Sequence, residues 1–177
     1  VIPVKALKLI ERNLDDTDPP VHLAIQGGAA ALIRTDRAVI YCRLVEGRFP
    51  RYQDVFPASV EVKIPFQEIG PLLSAVEQAS IVTSEESRGV DFTFAEGLLK
   101  LTSRAADVGS STVELPINYQ GKAVEITFDP RYLTDALKTL AEGASITAEL
   151  IDHRNAAVFK TDDRYTYVVM PLTRPDR

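Results

Sequence analysis

Leu44-Val45-Glu46-Gly47-Arg48-Phe49-Pro50-Arg51-Tyr52-Gln53-Asp54-Val55-Phe56-Pro57 is the joint on which the reading of this chain turns. A strand-forming run, Arg37 to Leu44, leads into it, and a second, Val60 to Ile64, follows it. Gly47 and Pro50 interrupt regular structure, one through its backbone freedom and the other through its fixed φ and missing N–H. Phe49, Tyr52 and Phe56 bring apolar surface that solvated linkers seldom carry, so a strap held down by contact is expected rather than a loose tether. The chain then divides into residues 1–47, a connector over 48–58, and a domain over 59–177.

On the N-terminal side, Pro3 to Leu14 has helical spacing, with Leu7, Ile10 and Leu14 on one stripe and Lys5, Lys8 and Arg12 on another. Asp15-Asp16-Thr17-Asp18-Pro19-Pro20 ends it, because the prolines bar continuation and aspartates favour turns. This acidic run lacks the glycine and the distal glutamate of a calcium loop. Val21 to Gln26, Ala29 to Arg34 and Arg37 to Leu44 predict an antiparallel meander, with turns at Gly27-Gly28 and Thr35-Asp36. No lysine or helix start follows Gly27-Gly28, so it is a hairpin turn and not a phosphate loop.

On the other side, a helix is predicted from Gly70-Pro71 through Ala79 and a short strand at Ile81 to Thr83. Strands follow at Val90 to Phe94, Leu98 to Ser103, Ser111 to Pro116 and Ala123 to Phe128. A second helix begins at Asp129-Pro130, a cap and first-turn pair.

A shift of 126 positions superposes the first segment on the last without a gap. Leu7 meets Leu133, Leu14 meets Leu140, Ile25 meets Ile151, Ala30-Ala31 meets Ala156-Ala157, Thr35-Asp36 meets Thr161-Asp162, and Tyr41 meets Tyr167. Lys5 lands on Arg131 and Arg12 on Lys138, while Lys8 lands on Thr134. The unit is duplicated, and the fold expected is α+β: repeated helix-plus-antiparallel-strand units with helices on one face of the sheets. Val1 to Leu44 is then the closing half of one domain. With no methionine at its start and Met170 its only one, the chain is expected to begin inside a longer protein.

The formal net charge of -5 argues against a surface that coats DNA everywhere but leaves room for a local basic face. The single cysteine, Cys42, sits in an apolar run as a small hydrophobe, and no signal peptide or membrane-length apolar run is present. A cytoplasmic protein without a membrane partner is expected. His22 in a strand and His153 at a turn lack metal-ligand spacing and a nucleophile partner; Glu85-Glu86 and Asp162-Asp163 are adjacent rather than converging pairs. No nucleotide motif or nucleophile elbow occurs, so neither catalytic nor metal residues are assigned and no cofactor is expected. These features favour a binding protein.

Glu46-Gly47-Arg48-Phe49-Pro50 with Tyr52, Val55 and Pro57 resembles the connector between the second and third domains of the bacterial DNA polymerase III beta subunit, the sliding clamp. Tyr167-Val168-Val169-Met170-Pro171-Leu172 resembles that family's C-terminal strand, and Arg88-Gly89-Val90 another of its segments, in the family's order. The resemblance implies a DNA clamp fold: two subunits of three similar domains closing into a ring, a non-catalytic processivity factor that encircles duplex DNA and tethers the replicative polymerase. Its DNA-facing candidates are Lys5, Lys8, Arg12, Arg131 and Lys138. The helix from Pro71 to Ala79 departs from that picture, with Glu77 and no basic residue.

The resemblance further implies a hydrophobic groove where linear motifs of the polymerase, the clamp loader and other clamp-binding proteins dock. Matching positions are Pro50, Val55, Tyr132, Val169, Met170, Pro171 and Leu172, with Val168 expected merely to finish the sheet. Ile81 and Val82 match the contact that closes the homodimeric ring, by edge pairing. Arg51, Asp54, Ser87 and the extension Thr173 to Arg177 depart from the family pattern and point to altered partner specificity. The competing reading is a duplicated peptide-binding module that never encircles DNA; a third, an enzyme using His22 or Glu85, has no substrate to name.

Overall fold

The computed structural model describes residues 1–15, 20–49, 51–85, 87–141, 143–162 and 165–173. It separates into two compact units, Val1–Arg51 and Tyr52–Arg177, which divide inside the aromatic strap. Phe49, Tyr52 and Phe56 are not buried by it: they stay 65%, 57% and 39% exposed. Tyr52 and Phe56 instead meet each other edge to face at 6.4 Å across a short 3-10 turn, Tyr52–Val55.

The first unit consists of α1 (Val4–Arg12) and a meander of β1 (His22–Gln26), β2 (Ala30–Arg34) and β3 (Val39–Arg43). Gly27 and Gly28 both take positive φ, 55° and 70°, which lets the chain reverse in the three residues between Gln26 and Ala30. Cross-strand pairing puts Leu23, Ile33 and Ile40 in one row and Ile25, Ala31 and Cys42 in the next, all on one face. Ala31, Ile33 and Ile40 are buried there with Ile10, Cys42 and Leu44 against them. No residue of α1 is fully buried.

The second unit carries the larger core. In chain order it contains β4 (Val62–Phe66), α2 (Ile69–Ser80), β5 (Val90–Ala95), β6 (Leu98–Ala105), β7 (Gly109–Pro116), β8 (Val124–Phe128), α3 (Pro130–Lys138), β9 (Ile146–Leu150), β10 (Ala157–Lys160) and β11 (Thr166–Val169). Two antiparallel sheets result, ordered β11-β10-β9-β4 and β7-β6-β5-β8. Each half of the unit lends its first strand to the sheet of the other, β4 to β9 and β8 to β5, so neither half completes a sheet alone. The helices α2 and α3 pack on each other, α2 also over β5 to β7 and α3 beside β11. Phe92, Phe128 and Phe159 form a chain of edge-to-face rings from one sheet to the other.

Ile81 to Thr83 is not a strand. Ile81 is still α-helical as the C-cap of α2, and Thr83 N donates to Ser80 O at 2.9 Å. Hydroxyls also donate to carbonyls of the last helical turn: Ser103 Oγ to Ala79 O at 2.5 Å, Ser111 Oγ to Gln78 O at 3.3 Å, and Thr83 Oγ1 to Ser80 O at 2.7 Å.

The duplication holds in the helices, where Val4–Arg12 shifted by 126 is Pro130–Lys138, but it is not gapless through the last hairpin. In the first unit Ile33 pairs with Ile40; in the second Phe159, the counterpart of Ile33, pairs with Tyr167. The first turn closes by Thr35 N donating to Ala38 O and the second by Thr161 N donating to Tyr165 O, one residue further on. Past that turn the offset is therefore 127. Tyr167 corresponds to Ile40 and faces the core, whereas Tyr41, its match in the gapless alignment, is 62% exposed.

On the other face of the β4-β9-β10 sheet, the Glu149 side chain is only 8% exposed and bonded to Lys63 at 3.2 Å and to Lys160. The hydrogen bond from Lys160 outweighs desolvation and holds its carboxyl below the ordinary 4.5. A depressed carboxyl stabilises the fold fully above its unfolded value and loses that contribution as pH falls through the folded one. Glu149→Gln is expected to cost about 1 kcal/mol at pH 7. In thermal melts across pH, its deficit should stay constant down to about pH 4.5 and shrink below it.

Candidate functional site

Three surfaces carry the candidate residues. The first is the cationic face carried separately by α1 in the first unit and α3 in the second. On α1, Lys5 and Lys8 are one turn apart and Arg12 one further, all exposed and without an ion pair among the described residues. The equivalent cations of α3 are tied. Arg131 folds back on its own N-cap, its Nε 3.0 Å from Asp129 Oδ1 and its Nη2 2.7 Å from Oδ2, while its backbone N–H donates to Oδ1 at 3.1 Å. The side-chain bonds from Arg131 hold the Asp129 carboxyl below the usual range. This pairing offsets the poor fit of a cation at the positive end of a helix. Lys138 Nζ lies 2.8 Å from Glu77 on α2, so the acid on the otherwise uncharged α2 neutralises it.

The second surface is the region around the C-terminal strand. Because of the 127-residue offset, Val169 corresponds to Cys42 and Met170 to Arg43. Val169 is accordingly buried in the core, and it rather than Val168 finishes the inward row; Val168 and Met170 lie on the alternate side of the strand. Met170 is 59% exposed, Tyr132 on the adjoining α3 is 54% exposed, and Val55 in the strap is 47% exposed. Pro171 and Leu172 are half-buried, and Leu172 N donates to Thr127 O at 2.8 Å, stitching the tail to the end of β8. Leu172 lines an open trough of about 410 Å³ with Glu125, Ile126, Thr127, His153, Arg154 and Thr173. Pro50 lies outside the described residues.

The third surface is the end of α2 with the sheet edge beside it. Ile81 is 76% exposed and Val82 half-buried, and neither is in a strand able to pair. The strand beside it is β7, one of the two outer strands of its sheet, fastened to α2 by the Ser111 hydroxyl. Its alternating exposure is that of a half-covered strand, a pattern visible in Ser-Ser-Thr-Val-Glu-Leu.

Residues 53–173 match the family model described as DNA polymerase III beta subunit, C-terminal domain, which is more than half of the chain. The chain belongs to the DNA polymerase III beta subunit family. The beta sliding clamp of Chlamydia pneumoniae is 27% identical over 176 residues, a match that covers 99% of this chain and 47% of that protein. For the Vibrio cholerae clamp the identity is 28% over 176 residues, with 97% and 47% covered. The crystal structure of the Pseudomonas aeruginosa sliding clamp with ligand superposes with a TM-score of 0.86 at 25% identity, over 98% of this chain and 47% of that one. The Bartonella birtlesii clamp bound to griselimycin gives 0.86 at 28%, with the same coverage. This beta-subunit chain thus spans about half the length of the relatives it matches. Within it, the sequence alone did not show that both α3 cations are paired, nor that β7 is the outer strand beside α2. The partners of Arg131 and Lys138 are two residues away and on another helix, respectively, and only the second distance required a fold to see. No described helix is long and apolar enough to cross a membrane.

Proposed function

We propose that this chain is the closing part of a DNA sliding clamp, the end of a middle domain followed by a whole third domain. In the ring, α1 and α3 line the hole and the sheets form the outside. Retention comes from topology, so phosphate attraction only needs to be weak and non-specific, and a net negative chain with local cations suffices. The observation that carries this reading is the repeat of cationic positions on equivalent helices, Lys5 with Arg131 and Arg12 with Lys138, in a chain of this family.

The clamp is a non-catalytic subunit in the bacterial cytoplasm, associated with the nucleoid. It tethers the replicative polymerase, the clamp loader and other motif-bearing proteins through apolar anchors set against Val55, Tyr132, Met170, Pro171 and Leu172, with Val169 backing them from the core. Two subunits close the ring by pairing the β7 edge, with Ile81 and Val82 packed beside it.

The pairing of Arg131 and Lys138 favours one other reading, a duplicated peptide-docking module without encirclement. Charge reversal of α1 separates the two. In a three-domain protein carrying this chain, Lys5→Glu, Lys8→Glu and Arg12→Glu together are expected to reduce stable loading on circular DNA about tenfold at moderate salt while peptide docking is unchanged. Unchanged loading would favour the docking module.

A further inference from the structure

We infer that two copies of the 177-residue chain pair through the first unit, β1 of one antiparallel to β1 of the other, with the Leu7 sides of their α1 helices packed across the same axis. The two halves of the second unit show what such a half needs. Each runs strand, helix, three strands, and each is completed by the other: β4 lies along β9, pairing Ile64 with Ala148 and Val62 with Leu150, and α2 packs on α3. The first unit has a helix and three strands of this kind, but no second helix and no strand on the outer side of β1 among the described residues. Leu23 pairs with Ile33 as Ala148 pairs with Phe159, so Leu23 and Ile25 take the places of Ala148 and Leu150. They are 58% and 54% exposed where those two are 0% and 1%, and Leu7 is 48% exposed where Leu133 is 3%. An outer strand is ordinarily kept from pairing by charged residues, proline or a bulge. β1 reads His-Leu-Ala-Ile-Gln, without lysine, arginine, acid or proline. Antiparallel pairing centred on Ala24 sets Leu23 of each copy opposite Ile25 of the other and His22 opposite Gln26. The opening half of the second unit is committed to its own closing half, which leaves the first unit of another copy as the matching face. A strand paired with its own copy makes an isologous contact, which closes at two. In a longer clamp chain the opening half of the middle domain would take this face; in the 177-residue chain by itself a second copy takes it.

Sedimentation equilibrium of the 177-residue chain should show the mass of one chain turning into that of two as concentration rises. Ile25→Lys, which puts a charge at the centre of the contact, should weaken the dimer about 30-fold or more, the effect of losing a central interface residue. Ile81→Lys, at the surface proposed above for ring closure, should leave it unchanged. A cross-link keeps the test independent of whether Ile25→Lys folds. In a Cys42→Ser background, which removes the one free thiol, Ala24→Cys places a cysteine of each copy opposite its own counterpart, within disulfide reach, and oxidation should bridge them. Tyr41→Cys, in the same cross-strand row but two strands away, should not bridge. A chain that is monomeric at every soluble concentration would overturn the inference and leave the clamp reading standing. So would a dimer that Ile81→Lys abolishes and Ile25→Lys does not, or one in which Ala24→Cys bridges no faster than Tyr41→Cys.

Discussion

Phe128→Ala is expected to destabilise the second unit by about 3–5 kcal/mol, the cost of removing a large buried aromatic side chain whose surroundings collapse only in part. Phe128 is fully buried at the end of β8. Its ring stands 5.3 Å from Phe92 at 74° and 6.2 Å from Phe159 at 65°, so it links the β5-β8 sheet to the β9-β10 sheet. Truncation breaks both ring contacts and opens a cavity between sheets that each depend on a strand from the other half. Because the chain has no tryptophan, the loss is best read from the denaturant midpoint by circular dichroism. Phe49→Ala, at a ring that is 65% exposed, serves as the control and should change stability by about 0.5 kcal/mol or less. A Phe128→Ala loss as small as that control would show that the core does not turn on this cluster.

Met170→Asp is expected to lower affinity for apolar-anchored peptides in a three-domain clamp by roughly 30-fold or more, the loss of a central contact worth about 2–4 kcal/mol. The one-residue shift of the last hairpin turns Met170 away from the core, and a long unbranched thioether there adapts to different anchors, which a carboxylate cannot do. Folding should be unaffected, since the side chain is 59% exposed. Val169→Asp, one residue earlier, places a charge in the core and should unfold the unit instead. Anisotropy titration with melting curves distinguishes the two. Equal peptide affinity for parent and Met170→Asp would remove the tail from the docking surface.

Much of this architecture was legible because single residues announce it. Asp129-Pro130 starts α3 where a cap and a first-turn proline should, and Gly27-Gly28 turns the first hairpin. The helices of the two copies superpose at one offset because helical periodicity and its cations tolerate no slip. The hairpin's extra residue is hidden in the sequence because both turns begin Thr-Asp; the hydrogen bond to Tyr165 rather than to its neighbour and the pairing of Phe159 with Tyr167 reveal it. Ile81 to Thr83 has strand-like composition, yet its backbone completes a helix end whose carbonyls are met by hydroxyls 24 and 33 residues away in sequence. Nor does composition reveal that Phe49, Tyr52 and Phe56 remain exposed. In each case the deciding partner is distant along the chain.

Encirclement is tested most directly with a three-domain protein carrying this chain, loaded onto nicked circular DNA that is then linearised with ends left free or blocked. Release from free ends and retention behind blocked ones is the predicted result. Equal retention on both would mean that the protein holds DNA by direct contact, and the clamp reading would fail.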